Sequence, residues 1–249
     1  MATTIEPVIP GYYQSDLRKL SFSELRRFAP GGILGAVVFS LLRYTIKVPP
    51  EGNYLPMRWQ DIVVTQDMLS NRGVQALGPK IAELEALGFT LVAYHRLFKH
   101  LFPLQVDNGA AYLLHSTGTY VASLPWTVNR QPAPMIGEQE VLANWFFTAC
   151  PDGKVVSVSN TGMYMDPPAP REVVALPGIS TQELWQRIQK ERARLDAAGE
   201  GTKKFSDVAT LEEHYNEQEA LTYHVQVNVR KVLVRLTDAQ VAQGEQRFL

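Results

Sequence analysis

From Phe89 onward, apolar and polar residues alternate with a period of two. The runs are FTLVAYHRL (89–97), AAYLLHS (110–116), TYVASLPWTV (119–128), VLANWFFTAC (141–150) and KVVSVSN (154–160). Successive side chains of a strand point to opposite faces, so each run predicts a strand. In the third, Tyr120, Ala122, Leu124, Trp126 and Val128 share one face, and Val121, Ser123, Pro125 and Thr127 the other. Pro125 brings no N–H to a ladder, which predicts an edge strand or a bulge there. Ser116-Thr117-Gly118 and Pro151-Asp152-Gly153 have the length of hairpin turns. Strands joined so tightly run antiparallel. Ser157 and Ser159 then read as the polar positions of a half-exposed strand, and Cys150 as a small packing residue at a hairpin's end.

Helical periods flank the strands. PKIAELEAL (79–87) carries Ile81, Leu84 and Leu87 as a stripe, with Pro79 suited to the first helical position and Gly88 to the stop. Ser180 with Glu183, Thr210 with Glu213 and Thr237 with Gln240 each have the spacing of a helix-capping pair. Leu221, Val225, Val229, Val232 and Leu236 fit a helix, although the alternating valines also fit a strand. Residues 196–209 read as a polar linker. This order predicts an α+β protein: an antiparallel meander of about five strands with helices packed on one face. The expected division is a basic segment over 1–47, an α+β domain over 57–235 and a tail over 236–249.

One apolar run stands apart. FAPGGILGAVVFSLL (28–42) has no charge and lies between Arg26-Arg27 and Arg43. A membrane-spanning helix needs about 20 apolar residues, which the run approaches only if it continues through Ile46 with Arg43 reaching to the interface. Arg26-Arg27 would then hold the N-terminus on the cytoplasmic side. The competing reading is a buried core element, since Gly31, Gly32 and Gly35 weaken a helix and the β-branched residues suit a strand. A cleaved signal peptide fits less well, because the run begins late and no small-residue cleavage pattern follows it.

Composition narrows the chemistry. The chain has 249 residues, a formal charge of −1 and a single cysteine. That excludes an internal disulfide framework and a thiolate-rich metal site, and gives no global attraction to nucleic acid. The charge is nonetheless uneven: residues 1–47 carry Arg18, Lys19, Arg26, Arg27, Arg43 and Lys47 against Glu6, Asp16 and Glu24. Neither GxxxxGK[ST] nor GxGxxG occurs, so no phosphate loop is predicted. Cys150 has no histidine near it in sequence to lower its pKa, so no catalytic residue, cofactor or metal is expected. His95, His115 and Asn144 lie on predicted strands and are the candidate ligand-binding groups. His95 and His115 would approach each other only if their strands are neighbours. His214 and His224 are too far apart on a helix to share an ion. The acids of Glu217–Glu219 read as a solvated helix face. The loop LFKHLFPL (97–104) offers Phe98, Leu101 and Phe102, with Leu97 and Leu104, as a partner or membrane contact.

ELEALGF (83–89), the strand ending in Leu114-His115, Pro151-Asp152-Gly153 before VVSVSN, and PPAPREVVALPGIS before a helix form a recognisable layout. Over a little more than half the chain it resembles a loose set of uncharacterised bacterial proteins. The resemblance implies an N-terminal hydrophobic anchor and no particular activity. The expectation is a non-enzymatic binding or structural protein: a membrane-associated accessory component of a larger assembly, with a protein partner. The alternative is a soluble enzyme or small-molecule-binding protein with a pocket between sheet and helices.

Overall fold

The computed structural model describes residues 5–28, 32–45, 51–102, 105–130, 137–161, 167 and 170–246. In chain order the elements are β1 (Gly11–Ser15), α1 (Phe22–Phe28), α2 (Gly32–Leu42), β2 (Asn53–Leu55), α3 (Trp59–Ile62), β3 (Val63–Val64), α4 (Asn71–Glu85), β4 (Phe89–His95), β5 (Gln105–His115), β6 (Val121–Arg130), β7 (Glu138–Leu142), β8 (Trp145–Ala149), β9 (Val155–Ser159), β10 (Arg171–Ala175), α5 (Thr181–Ala197), α6 (Val208–Tyr223), β11 (Leu233–Arg235) and α7 (Asp238–Glu245). The protein is α+β, and its main sheet is mostly antiparallel.

The expected five-strand meander is too simple. The main sheet has eight strands in the order β10-β9-β8-β6-β5-β4-β3, with β7 pairing β6 beyond the end of β8. Its outer strand β10 runs parallel to β9, because the chain crosses over between them instead of turning back. Pro125 lies inside the sheet, not at its edge. Its carbonyl accepts from the Ala143 amide at 2.9 Å, so its missing N–H points toward the β7–β8 side. There β8 pairs with Val121–Ser123 and β7 with Trp126–Arg130, leaving Pro125 at the gap between partners. No ladder bond is lost at that position.

Helices cover both faces, not one. On the first face, Leu77, Ile81 and Leu84 of α4 and Leu184, Trp185 and Ile188 of α5 pack on Ala111, Leu113, Leu124, Trp126 and Phe146. On the second, Trp59 of α3, Leu211 of α6 and Phe205 pack on Ala93, Val121, Ala149 and Val155. The central strands therefore bury residues of both alternating sets, and β9 is buried along its whole length. The serines of that strand are not half-exposed: Ser157 is 1% and Ser159 0% accessible. Cys150 is buried as expected.

The helix ends show why some boundaries were misplaced. Helix α4 starts at Asn71, where the Ser70 hydroxyl accepts from the Gly73 amide, and it continues through Pro79. Burial of Leu77, Ile81 and Leu84 outweighs the one backbone bond that Pro79 removes. For α6 the cap is Asp207 paired with Thr210, not Thr210 with Glu213. The boxes at Ser180–Glu183 and Thr237–Gln240 form as read. The segment over 221–236, which fits a helix or a strand in sequence, divides into the end of α6, a π-helical turn at His224–Val229 and strand β11. Residues between α5 and α6 are anchored, since Lys203 N donates to Ala149 O and Phe205 N to Gly118 O. Gly118, at φ 71°, lies so close to Phe205 that a Cβ would strike its carbonyl.

A second sheet, β11-β1-β2, joins distant parts of the chain. Strand β1 is its middle member, so residues 11–15 are hydrogen-bonded on one side to 53–55 and on the other to 233–235. Helix α1 is held by Glu24, which is fully buried, accepts from the Ser21 amide and pairs with Arg230 at 2.7 Å. Helix α2 has 11 residues, and among the described residues no helix is long and apolar enough to cross a membrane. Positions 29–31 and 46 of the apolar run lie outside the described residues.

Candidate functional site

The second face of the sheet carries polar residues where a plain core would have none. Along α6, Leu211, His214, Tyr215, Gln218 and Glu219 recur at three- and four-residue intervals and so share one face. That face looks onto Tyr112 of β5, Ser123 and Pro125 of β6, Trp145 and Phe147 of β8, Ser157 of β9 and Arg171 of β10. Together they line an open-mouthed cavity of about 240 Å³. A neighbouring hollow of about 280 Å³ shares Ala110, Tyr112, Pro125, Tyr215 and Glu219 with it and adds His95.

Several polar atoms here are buried without a partner: Nε of Arg171, Oγ of Ser157, Nε2 of His214 and Nε2 of His95. Among the described residues, the Arg171 guanidinium makes no ion pair or hydrogen bond. The Tyr112 phenol neighbours Ser123, and the Tyr223 phenol neighbours the Glu219 carboxyl. Lys203 Nζ stands 3.5 Å from His214 Nδ1. The His95 ring sits edge-on to Trp59 at 4.2 Å between centroids and lies 4.3 Å from Tyr112 and 5.7 Å from Tyr215.

Burial sets the charges. It lowers His95 to about 3 and His214 to about 4, with the Lys203 and Arg171 charges adding to the second shift. Both imidazoles are therefore neutral at pH 7. Desolvation raises the Glu219 carboxyl above its ordinary value, against the pull of the Tyr223 hydrogen bond and the Arg171 charge. It also raises Tyr112 to about 12 and raises Tyr215 and Tyr223 above the ordinary phenol value, with the Glu219 charge acting in the same direction. The result is the Arg171 cation among hydroxyls, neutral imidazoles and the Glu219 carboxyl, walled by aromatic rings.

No family model, curated protein or solved structure matches this chain. The site must be judged on its own geometry.

Of the three expected ligand-binding residues, only His95 borders this region. His115 lies on the opposite face, its Nδ1 2.8 Å from Thr117 Oγ1 and its ring 5.0 Å from Trp185. His95 pairs with Ala110 while His115 pairs with Phe89, so the histidines occupy opposite ends of the β4–β5 ladder. Asn144 sits in the turn between β7 and β8, where its Nδ2 donates to Thr181 Oγ1 at 2.8 Å and its amide donates to Asn160 Oδ1. It ties the sheet to α5, and the three residues do not converge.

Of the expected contact residues, Leu101 is buried at 2% accessibility, Phe102 is half-buried and stacks on His100, and Phe98 is exposed. Their loop is fastened to β2 by Tyr54 N to Lys99 O and Leu101 N to Gly52 O. Leu104 lies outside the described residues. Sequence reasoning missed Arg171, His214, Tyr215 and Glu219. The available signal was the i, i+4 pairing of His214 with Gln218 and Tyr215 with Glu219 on a helix whose apolar residues do not form a single stripe. Among the described residues no cluster of histidine, cysteine and acids could hold a metal ion.

Proposed function

We propose that this protein binds a small organic anion in the cavity between the main sheet and α6. The reading rests on the Arg171 guanidinium, which faces a cavity with a buried, unpartnered Nε and forms no ion pair among the described residues. A buried donor left unpaired costs free energy, and an incoming carboxylate supplies the missing acceptor through charge-assisted bonds. Ser157 Oγ and His214 Nε2 offer two further polar atoms without partners. Trp145, Phe147, Tyr112 and Tyr215 give the rest of the ligand an aromatic wall.

Thermal-shift measurements with benzoate, phenylacetate and hexanoate, each beside its amide, test this reading. At a ligand concentration of about 100 times Kd, binding adds roughly 2.7 kcal/mol to the folded state. At least one acid should raise Tm by several degrees while its amide does not. Equal responses to acids and amides, or none to any acid, would remove the proposal.

A further inference from the structure

We infer that α2 is a membrane-contact helix that lies in the plane of an anionic bilayer surface. The inference is independent of the cavity and rests on what α2 presents. Ile33, Leu34, Val37, Val38, Leu41 and Leu42 are all exposed, Leu34 at 80% and Leu41 at 73%. At 3.6 residues per turn these six positions cover about half the helix circumference, and none is polar. The other half is fixed to the protein: Ala36 is buried, and Phe39 packs on Leu17, Leu20, Leu25 and Val232. The outer face is thus displayed by a helix docked on its inner side, not by one left loose.

Length decides how such a helix meets a bilayer. Eleven residues rise about 16 Å, roughly half of a hydrocarbon core. It can lie at the interface but cannot span.

Charge selects the kind of surface. Helix α2 itself carries no charge, but Arg26 and Arg27 end α1 beside it and Arg43 follows it. The nearby acids are turned inward: Asp16 is buried against Arg18 at 2.8 Å, and Glu24 is buried against Arg230. The field around α2 is therefore positive, which complements anionic headgroups. Tyr44, exposed at the end of α2, suits the headgroup level.

Co-sedimentation of the full chain with phosphatidylcholine vesicles, with and without phosphatidylglycerol, tests the inference. Binding is expected on the phosphatidylglycerol vesicles and should weaken with added salt. The double variant L34E/L41E should retain native circular dichroism, because both positions are exposed, and lose binding by roughly tenfold or more. R26Q/R27Q should weaken binding by about fivefold per arginine on the anionic vesicles. Failure to sediment with anionic vesicles, equal binding to both compositions, or unchanged binding by L34E/L41E would each overturn the inference. So would a stable dimer in solution that L34E/L41E abolishes, which would assign the face to a second copy.

Discussion

Replacing Arg171 with methionine separates a binding residue from a structural one. The substitution keeps an unbranched stem of similar reach at the start of β10, where residue 171 pairs with Val155, and removes only the guanidinium. In the ligand-free protein that group has a buried Nε without a partner. Leaving a buried donor unpaired costs about 1–3 kcal/mol, so its removal should stabilise the empty protein by about 1–2 kcal/mol. The loss of a positive charge also lets Glu219 hold its proton more tightly, and that response limits any offsetting cost. For a chain of this size, about 1 kcal/mol moves Tm by roughly 2–4 °C, so a rise of a few degrees is expected. Binding should change in the opposite sense. A charge-assisted hydrogen bond is worth about 1.5–3 kcal/mol, and losing one weakens carboxylate affinity about ten- to 150-fold. Urea denaturation at pH 7 reads the first effect, and calorimetric titration with the most protective acid of the panel reads the second. A destabilisation of 1 kcal/mol or more would show that the guanidinium holds the fold, and unchanged carboxylate affinity would show that it does not meet the ligand.

Two further predictions concern buried charges. Glu24→Gln leaves Arg230 facing a neutral amide and weakens the acceptor for the Ser21 amide. Breaking a buried pair costs about 3–5 kcal/mol, so denaturant midpoints should fall sharply, and a loss below about 1 kcal/mol would mean that α1 contributes little to the fold. The buried histidines predict sensitivity to mild acid. Their folded values are depressed, so the stability that they contribute is fully present above about 6.5 and is lost as pH falls toward about 4 for His214 and about 3 for His95. At about 1.4 kcal/mol per pH unit, each costs about 2 kcal/mol at pH 5. Glu219 has the opposite sign: its raised value stabilises the fold at low pH, and that contribution is lost as pH rises through it. The contrast between the parent and His214→Gln isolates the histidine. The variant should lose less stability between pH 7 and pH 5, and parallel profiles would contradict the assigned burial.

What was legible in the sequence followed from local rules. Period-two runs become β4, β5, β6, β8 and β9, and the turn at Pro151-Asp152-Gly153 forms with Gly153 at φ 90°. The caps at Ser180 and Thr237 are equally local, because each is a hydrogen bond across three residues. Long-range pairing left no such trace. Strands β2 and β11 have three residues each and become strands only because β1 lies between them. Strand β10 begins with charged residues after a proline-rich stretch, and alternation alone gives no hint that Arg171 turns inward.

The cavity was hidden by one assumption about water. With helices on a single face, polar residues on the other face of each strand belong to solvent, and Ser157 and Glu219 are unremarkable. Once α3 and α6 cover that face, the same residues are enclosed, and each needs a partner. Tyr112 lies near Ser123 and Glu219 near Tyr223, but Arg171, Ser157 and His214 each keep a buried polar atom without a partner. A chain selected only for stability would fill this space with apolar side chains, as it does on the face toward α4 and α5. Buried atoms without partners also occur toward α5, at Thr148 Oγ1 and Asn144 Oδ1, but only beneath α6 do they stand around a cavity beside a guanidinium, which is the physical reason to place a ligand there.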